Sequence, residues 1–87
     1  MSYSFYILYS DKIDNYYKGI SKNPKNRLNY HNHQNKGWTR RGRPWTLVFN
    51  KEYPDRATAQ KAEKFVKSKK SKSYIRKLIS GEYKLPF

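Results

Sequence analysis

The chain has 87 residues and no cysteine, which excludes disulfides, thiolate-held zinc, iron–sulfur clusters and thiol nucleophiles. Twenty Lys and Arg against six Asp and Glu leave a net charge of +14, a field suited to a polyanion and above all to nucleic acid, whose condensed counterions are released on binding. No run is long and apolar enough to span a membrane, no secretory leader is visible and no long amphipathic helix suits a lipid surface, so we read a single soluble, cytoplasmic domain over 1–87, with no membrane and no disulfide-linked partner.

Tyr3 to Tyr9 is rich in aromatic and branched residues and reads as a strand. The polar stretch 10–15, with Asp11, Asp14 and Asn15, reads as a turn. Tyr16 to Ile20 then forms the second arm of a hairpin. Tyr6 and Tyr17 fall on neighbouring strands; if they share a face and lie nearly opposite, their β-carbons are about 5 Å apart. Asn23-Pro24 combines an N-cap residue with the residue favoured at the first helical position, predicting a helix from Pro24 to about Asn32. Arg27 and His31 share one face of it, and Leu28 anchors it to the sheet. Residues 33–44 read as a basic loop, with glycines at 37 and 42 arguing for mobility. Trp45 to Tyr53 reads as a third strand in which Trp45, Leu47 and Phe49 alternate against Thr46, Val48 and Asn50. Asp55 can cap the next helix, from Arg56 to about Lys70, where Ala59, Ala62, Glu63 and Val66 follow the helical apolar spacing. Ser71 to Ser73 interrupts, and Tyr74 to Ile79 forms a last short helix stopped by Gly81. The expected fold class is α+β: a small antiparallel three-stranded sheet flanked by helices, in the order β-β-α-β-α-α.

Two phenols (Tyr6, Tyr17), a guanidinium (Arg27), an imidazole (His31) and a carboxylate on an apolar stripe (Glu63), in a chain this basic, point to cutting of a phosphodiester backbone. Such a reaction needs water deprotonated, phosphate charge neutralised and the leaving oxygen stabilised. Glu63 can hold one Mg²⁺ (or Mn²⁺), which keeps several waters and needs one or two carboxylates; a lone carboxylate argues against a two-metal site. Arg27 can fork onto phosphate oxygens. Tyr6 or Tyr17 can serve as general base if Arg27, the metal and the positive field lower a phenol pKa that is ordinarily near 10. His31 can orient or relay the proton.

Each residue also has a plainer reading. The tyrosines suit strands as aromatics, Arg27 is one of twenty cations, His31 can be an exposed helix residue, and Glu63 can pair with Lys67 one turn on. Trp45 reads as core; Trp38 is divided between packing and base stacking. Lys18, Lys36, Trp38, Arg40, Arg41, Arg43, Lys67, Lys69, Lys70 and Lys72 are the candidates for nucleic-acid contact, the last four on a basic run that is otherwise a solvated face.

The order and spacing of these residues resemble the GIY-YIG nuclease superfamily, and most of all its small stand-alone bacterial members, related to the N-terminal nuclease domain of the excision-repair excinuclease subunit. Ser4-Phe5-Tyr6 corresponds to the first family triplet and Tyr17-Lys18-Gly19 to the second. Arg27, His31 with Asn32, the string Pro44-Trp45-x-Leu47-Val48, and Glu63 within Ala59-x-x-Ala62-Glu63 follow in family order. Ser4 replaces the first glycine, Lys18 replaces an apolar residue, and Ile75 stands near a place where many relatives carry Asn. The resemblance implies a metal-dependent endonuclease acting on DNA, double-stranded or branched, in repair or processing, with RNA a further candidate substrate. The alternative is a non-catalytic nucleic-acid-binding module on the same scaffold, because fold does not guarantee activity.

Overall fold

A computed structural model describes residues 2–33 and 41–87. Six elements follow in the predicted order: β1 (Tyr3–Ser10), β2 (Asn15–Ser21), α1 (Pro24–His33), β3 (Thr46–Tyr53), α2 (Arg56–Lys69) and α3 (Lys72–Ser80). The strands form one antiparallel sheet in the order β2-β1-β3, so the most apolar strand is central and two more polar strands take the edges. The fold class is the α+β arrangement expected from the sequence.

Period-two alternation splits β1 between two cores. Phe5 and Ile7 face one side, where Ala59, Ala62 and Val66 of α2 and Ile75 and Leu78 of α3 cover them. Tyr6 and Leu8 face the other, with Trp45, Tyr17, Leu47 and Leu28 of α1. Leu28 is therefore the anchor predicted for α1. Asn32 fixes the far end of that helix: its amide donates to the Trp45 carbonyl at 3.1 Å and its oxygen accepts from the Trp45 N–H at 2.5 Å.

The helix ends follow local chemistry. Asp55 caps α2 by accepting from the Thr58 N–H at 2.8 Å, and Gly81 closes α3 in the left-handed region at φ 88°. Ser71 and Ser73 do not act together as a break. Ser71 is the N-cap of α3, accepting from the Tyr74 N–H, so α3 begins at Lys72, two residues earlier than predicted.

Two expectations need correction. The alternation read along β3 does not persist. Leu8 pairs with Leu47 and Ile7 with Phe49, so Val48 is an extra residue, a bulge. The bulge reverses parity: Leu47 packs with Tyr6 and Leu8, whereas Phe49 turns to the opposite face and meets Phe5 at a ring-centroid distance of 5.9 Å. Gly42 is not a hinge. It is buried, its carbonyl accepts from the Ser10 hydroxyl at 2.6 Å, and the Trp45 ring lies so close that an added β-carbon would fall 2.5 Å from it. Lys36, Gly37, Trp38 and Arg40 lie outside the described residues.

Candidate active site

The strand register decides how the two phenols meet. Tyr6 is paired with Gly19, and Tyr17 with Leu8, so the tyrosines are diagonal neighbours on one face instead of opposite each other. Their ring centroids are 6.3 Å apart. Gly19 makes this possible. A β-carbon there would sit 2.7 Å from the Tyr6 phenolic oxygen and 3.2 Å from the Tyr17 ring. The second triplet thus needs its glycine for space, since the Tyr6 side chain lies across the backbone of its partner strand.

Helix α1 brings its polar face over these rings. The His31 ring lies 4.5 Å from that of Tyr17, and its Nε2 is 3.4 Å from the Tyr6 hydroxyl, a long contact. The other ring nitrogen, Nδ1, is buried without a hydrogen-bond partner among the described residues. The Arg27 guanidinium lies near enough to the Tyr6 phenol to pull its pKa down, and it stacks over Tyr30 at 4.8 Å. Glu63 is close enough to act on the Tyr6 phenol electrostatically, and its carboxylate stands 3.6 Å from the Lys67 ammonium. Tyr6, Tyr17, Arg27, His31 and Glu63 therefore form one neighbourhood around the Tyr6 hydroxyl.

The electrostatics differ from the expectation in one respect. The Tyr6 phenol is pushed above its ordinary value instead of below it. Burial is the main cause: Tyr6 is 1% exposed, and an ionised phenol would lose its hydration. The nearby Arg27 guanidinium opposes this and does not overcome it, while Tyr17 and Glu63 add to the rise. His31 is held below its usual value, first by burial and then by the Arg27 charge, which favours the neutral ring. Tyr17 is only partly buried and lines a cavity of about 320 Å³ together with Asn15, Tyr16, Lys18 and Lys67.

The basic candidates separate. Lys18 and Lys67 line that cavity, and Lys18, Lys70 and Lys72 line a neighbouring one. Lys69 turns away, its ammonium 4.4 Å from the Phe65 ring centroid and 5.6 Å from that of Tyr74. Arg41 is exposed and Arg43 half-buried beside the buried Gly42. Sequence reasoning did not single out Gly19 as a spacer or Asn32 as the tie between α1 and β3. The first depends on the pairing of Tyr6 with Gly19, which follows only from the strand register. The second had no local signal, because its partner is the backbone of Trp45.

A family model described as the GIY-YIG catalytic domain matches residues 2–77. This chain belongs to the GIY-YIG family. Membership makes it a nuclease-family domain and implies a nucleic-acid substrate. The chain is also similar to a UPF0213 protein from Bacillus halodurans, solved by solution NMR, with 26% identity over 92% of this chain and 84% of that one and a TM-score of 0.58. No curated protein matches the chain. Among the described residues no helix is long and apolar enough to cross a membrane, and no three His, Asp or Glu side chains gather as a metal cluster.

Proposed function

We propose that this GIY-YIG domain is an endonuclease that hydrolyses phosphodiester bonds in DNA, double-stranded or branched, with one divalent cation, Mg²⁺ or Mn²⁺, in DNA repair or processing. The observation that carries this reading is the gathering of Arg27, His31 and Tyr17 around the buried Tyr6, with Glu63 near enough to act on its phenol electrostatically. Glu63 is half-buried on the apolar side of α2, with a side-chain exposure of 17%. One carboxylate suits a cation that takes its remaining ligands from water and substrate phosphate, and it does not suit a two-metal site. Bound at Glu63, the cation would supply positive charge to the phosphate oxygens.

The chain's own groups divide the remaining work. Arg27, held between Tyr6 and Tyr30, offers its free N–H groups to a phosphate oxygen. Water reaches Tyr17 through the cavity it lines, whereas burial keeps the proton on Tyr6. We therefore assign Tyr17 as the base that takes the proton of the attacking water. Tyr6 orients His31 and Arg27 through its hydroxyl. His31, neutral because it is buried beside Arg27, can accept the phenol proton of Tyr17 and so leave it free to act as base. As water adds to phosphorus and gives its proton to Tyr17, the bond to the leaving oxygen breaks, and that oxygen takes a proton from solvent.

The Glu63–Lys67 pair supports a second reading, a binding module in which a lysine satisfies the carboxylate. Incubation with branched, flapped and linear DNA plus Mg²⁺ or Mn²⁺ separates the two. The nuclease reading expects metal-dependent cutting that Glu63→Ala abolishes with DNA affinity retained. Binding without cutting under every condition establishes the module. Equal cutting by parent and variant removes Glu63 as the metal ligand.

A further inference from the structure

Between β2 and the junction of α2 with α3 lie two cavities, of about 190 and about 320 Å³, which share Asn15, Tyr16 and Lys18 as a common wall. Lysines dominate their polar lining: Lys18 and Lys67 in the larger, Lys18, Lys70 and Lys72 in the smaller. The wall residues are held in place. The Lys72 ammonium donates to the Asp14 carbonyl at 2.6 Å, and Ser71 caps α3, whose N-terminal backbone dipole adds to the positive field.

Lys18 is the unusual member. It occupies a strand position, half-buried, and its ammonium makes no hydrogen bond or ion pair among the described residues. The charged group nearest it in effect is another cation, Lys67, and both burial and that cation hold its pKa below the ordinary lysine value. The Glu63 carboxylate is paired with the Lys67 ammonium at 3.6 Å, and the Asp14 carboxylate is engaged by the Tyr9 hydroxyl at 2.7 Å. A desolvated ammonium facing a second ammonium is unfavourable in the free protein. An anion placed between them removes the penalty. The larger cavity also contains Tyr17, so it opens directly onto the proposed cutting centre.

We propose that the two adjoining cavities around Lys18, lined also by Lys67 in one and by Lys70 and Lys72 in the other, form a second anion site, which grips a non-scissile backbone phosphate of the nucleic-acid strand being cut. This rests on the nuclease reading and adds to it the direction of the strand, from Tyr17 along the outer edge of β2 toward the start of α3. The buried Lys18 then acts as a strand clamp, in contrast to the diffuse attraction of the exposed lysines.

The test uses the full chain in EDTA, so that binding is read apart from cleavage. Lysine side-chain methylene NMR signals are followed against pH, alone, with a short DNA oligonucleotide, and with inorganic phosphate at equal phosphate concentration. The expected result is a rise in the Lys18 titration midpoint with the oligonucleotide and little change with inorganic phosphate. Lys18→Met should reduce the log–log salt slope of duplex binding by about 0.9, the contribution of one phosphate. It should also weaken affinity more than Lys61→Met, a change at an exposed α2 position. An oligonucleotide that binds without moving Lys18 overturns the proposal and leaves the nuclease reading intact. Movement with inorganic phosphate alone makes the cavity a free-anion site and overturns it as well. DNA that does not bind at all removes both. A Lys18 shift in a protein that never cuts removes the nuclease reading and overturns the clamp on a strand being cut, leaving a phosphate site of a binding module.

Discussion

Gly19→Ala tests the idea that the second triplet's glycine exists to make room for a phenol. The added methyl would lie 2.7 Å from the Tyr6 hydroxyl oxygen and 2.9 Å from the ring carbon that bears it, so Tyr6 must retreat by about 0.7 Å to reach ordinary contact at 3.4 Å. Tyr6 is among the largest fully buried side chains and has no free volume to enter. Overpacking of this kind costs about 1–3 kcal/mol, and replacing glycine by alanine in a strand returns about 0.5–1 kcal/mol, so a net destabilisation of about 0–2.5 kcal/mol is expected. That loss leaves a domain of ordinary stability folded. The effect on cleavage should be larger. A misplacement of about 1 Å in a catalytic array can cost about 100-fold, so a displacement of about 0.7 Å should lower the single-turnover rate by at least about 10-fold. Urea denaturation and single-turnover cleavage of the same preparation give both numbers. A variant that keeps the parental rate refutes the argument, whatever its stability, because the Tyr6 hydroxyl would then have no required position.

Arg27→Ala should raise the cleavage barrier by about 3 kcal/mol, as loss of one preorganised donor does, with little effect on affinity; rescue by saturating DNA would contradict the assignment. Tyr17→Phe should lower the single-turnover rate more than Tyr6→Phe does, because Tyr17 and not Tyr6 lines the open cavity; the reverse order would exchange their roles. His31 also couples stability to pH. Its folded pKa lies below the ordinary 6.5, so the unfolded chain takes up the proton first. Its contribution is fully present above about pH 6.5 and is lost as pH falls through the folded value. Urea midpoints measured from about pH 7.5 to about pH 5 should therefore decline in the parent and decline less in His31→Gln, a window above that of the carboxylates. Equal slopes would mean that burial does not hold His31 neutral.

The element order and the identities of the converging side chains were legible in the sequence because they depend on local spacing. Asn23-Pro24 and Asp55 mark helix starts, Gly81 marks a stop, and the four-residue step from Arg27 to His31 puts both on one helical face. The diagonal relation of Tyr6 and Tyr17 was not legible, because it depends on which residues of β1 and β2 pair. The direction of the Tyr6 pKa shift failed for a related reason. Composition gives the sign of the overall field, whereas burial of a single phenol outweighs that field and follows only from packing. Gly42 misled because a glycine read as freedom was in fact clearance for the Trp45 ring.

The bulge at Val48 sets what kinds of change β3 can absorb. On its Leu47 side the strand serves the face that carries Tyr6 and Tyr17; on its Phe49 side it serves the face covered by α2 and α3. The side chains there are apolar and of similar size, so exchanges among them alter volume modestly and cost little. Loss or gain of one residue acts differently. It flips the parity of every position beyond it, turning Phe49 toward the tyrosines and withdrawing it from Phe5. For this strand the number of residues between Trp45 and Tyr53 is a stricter inheritance than their identity, and lineages of this domain should vary in the letters of β3 long before they vary in its length.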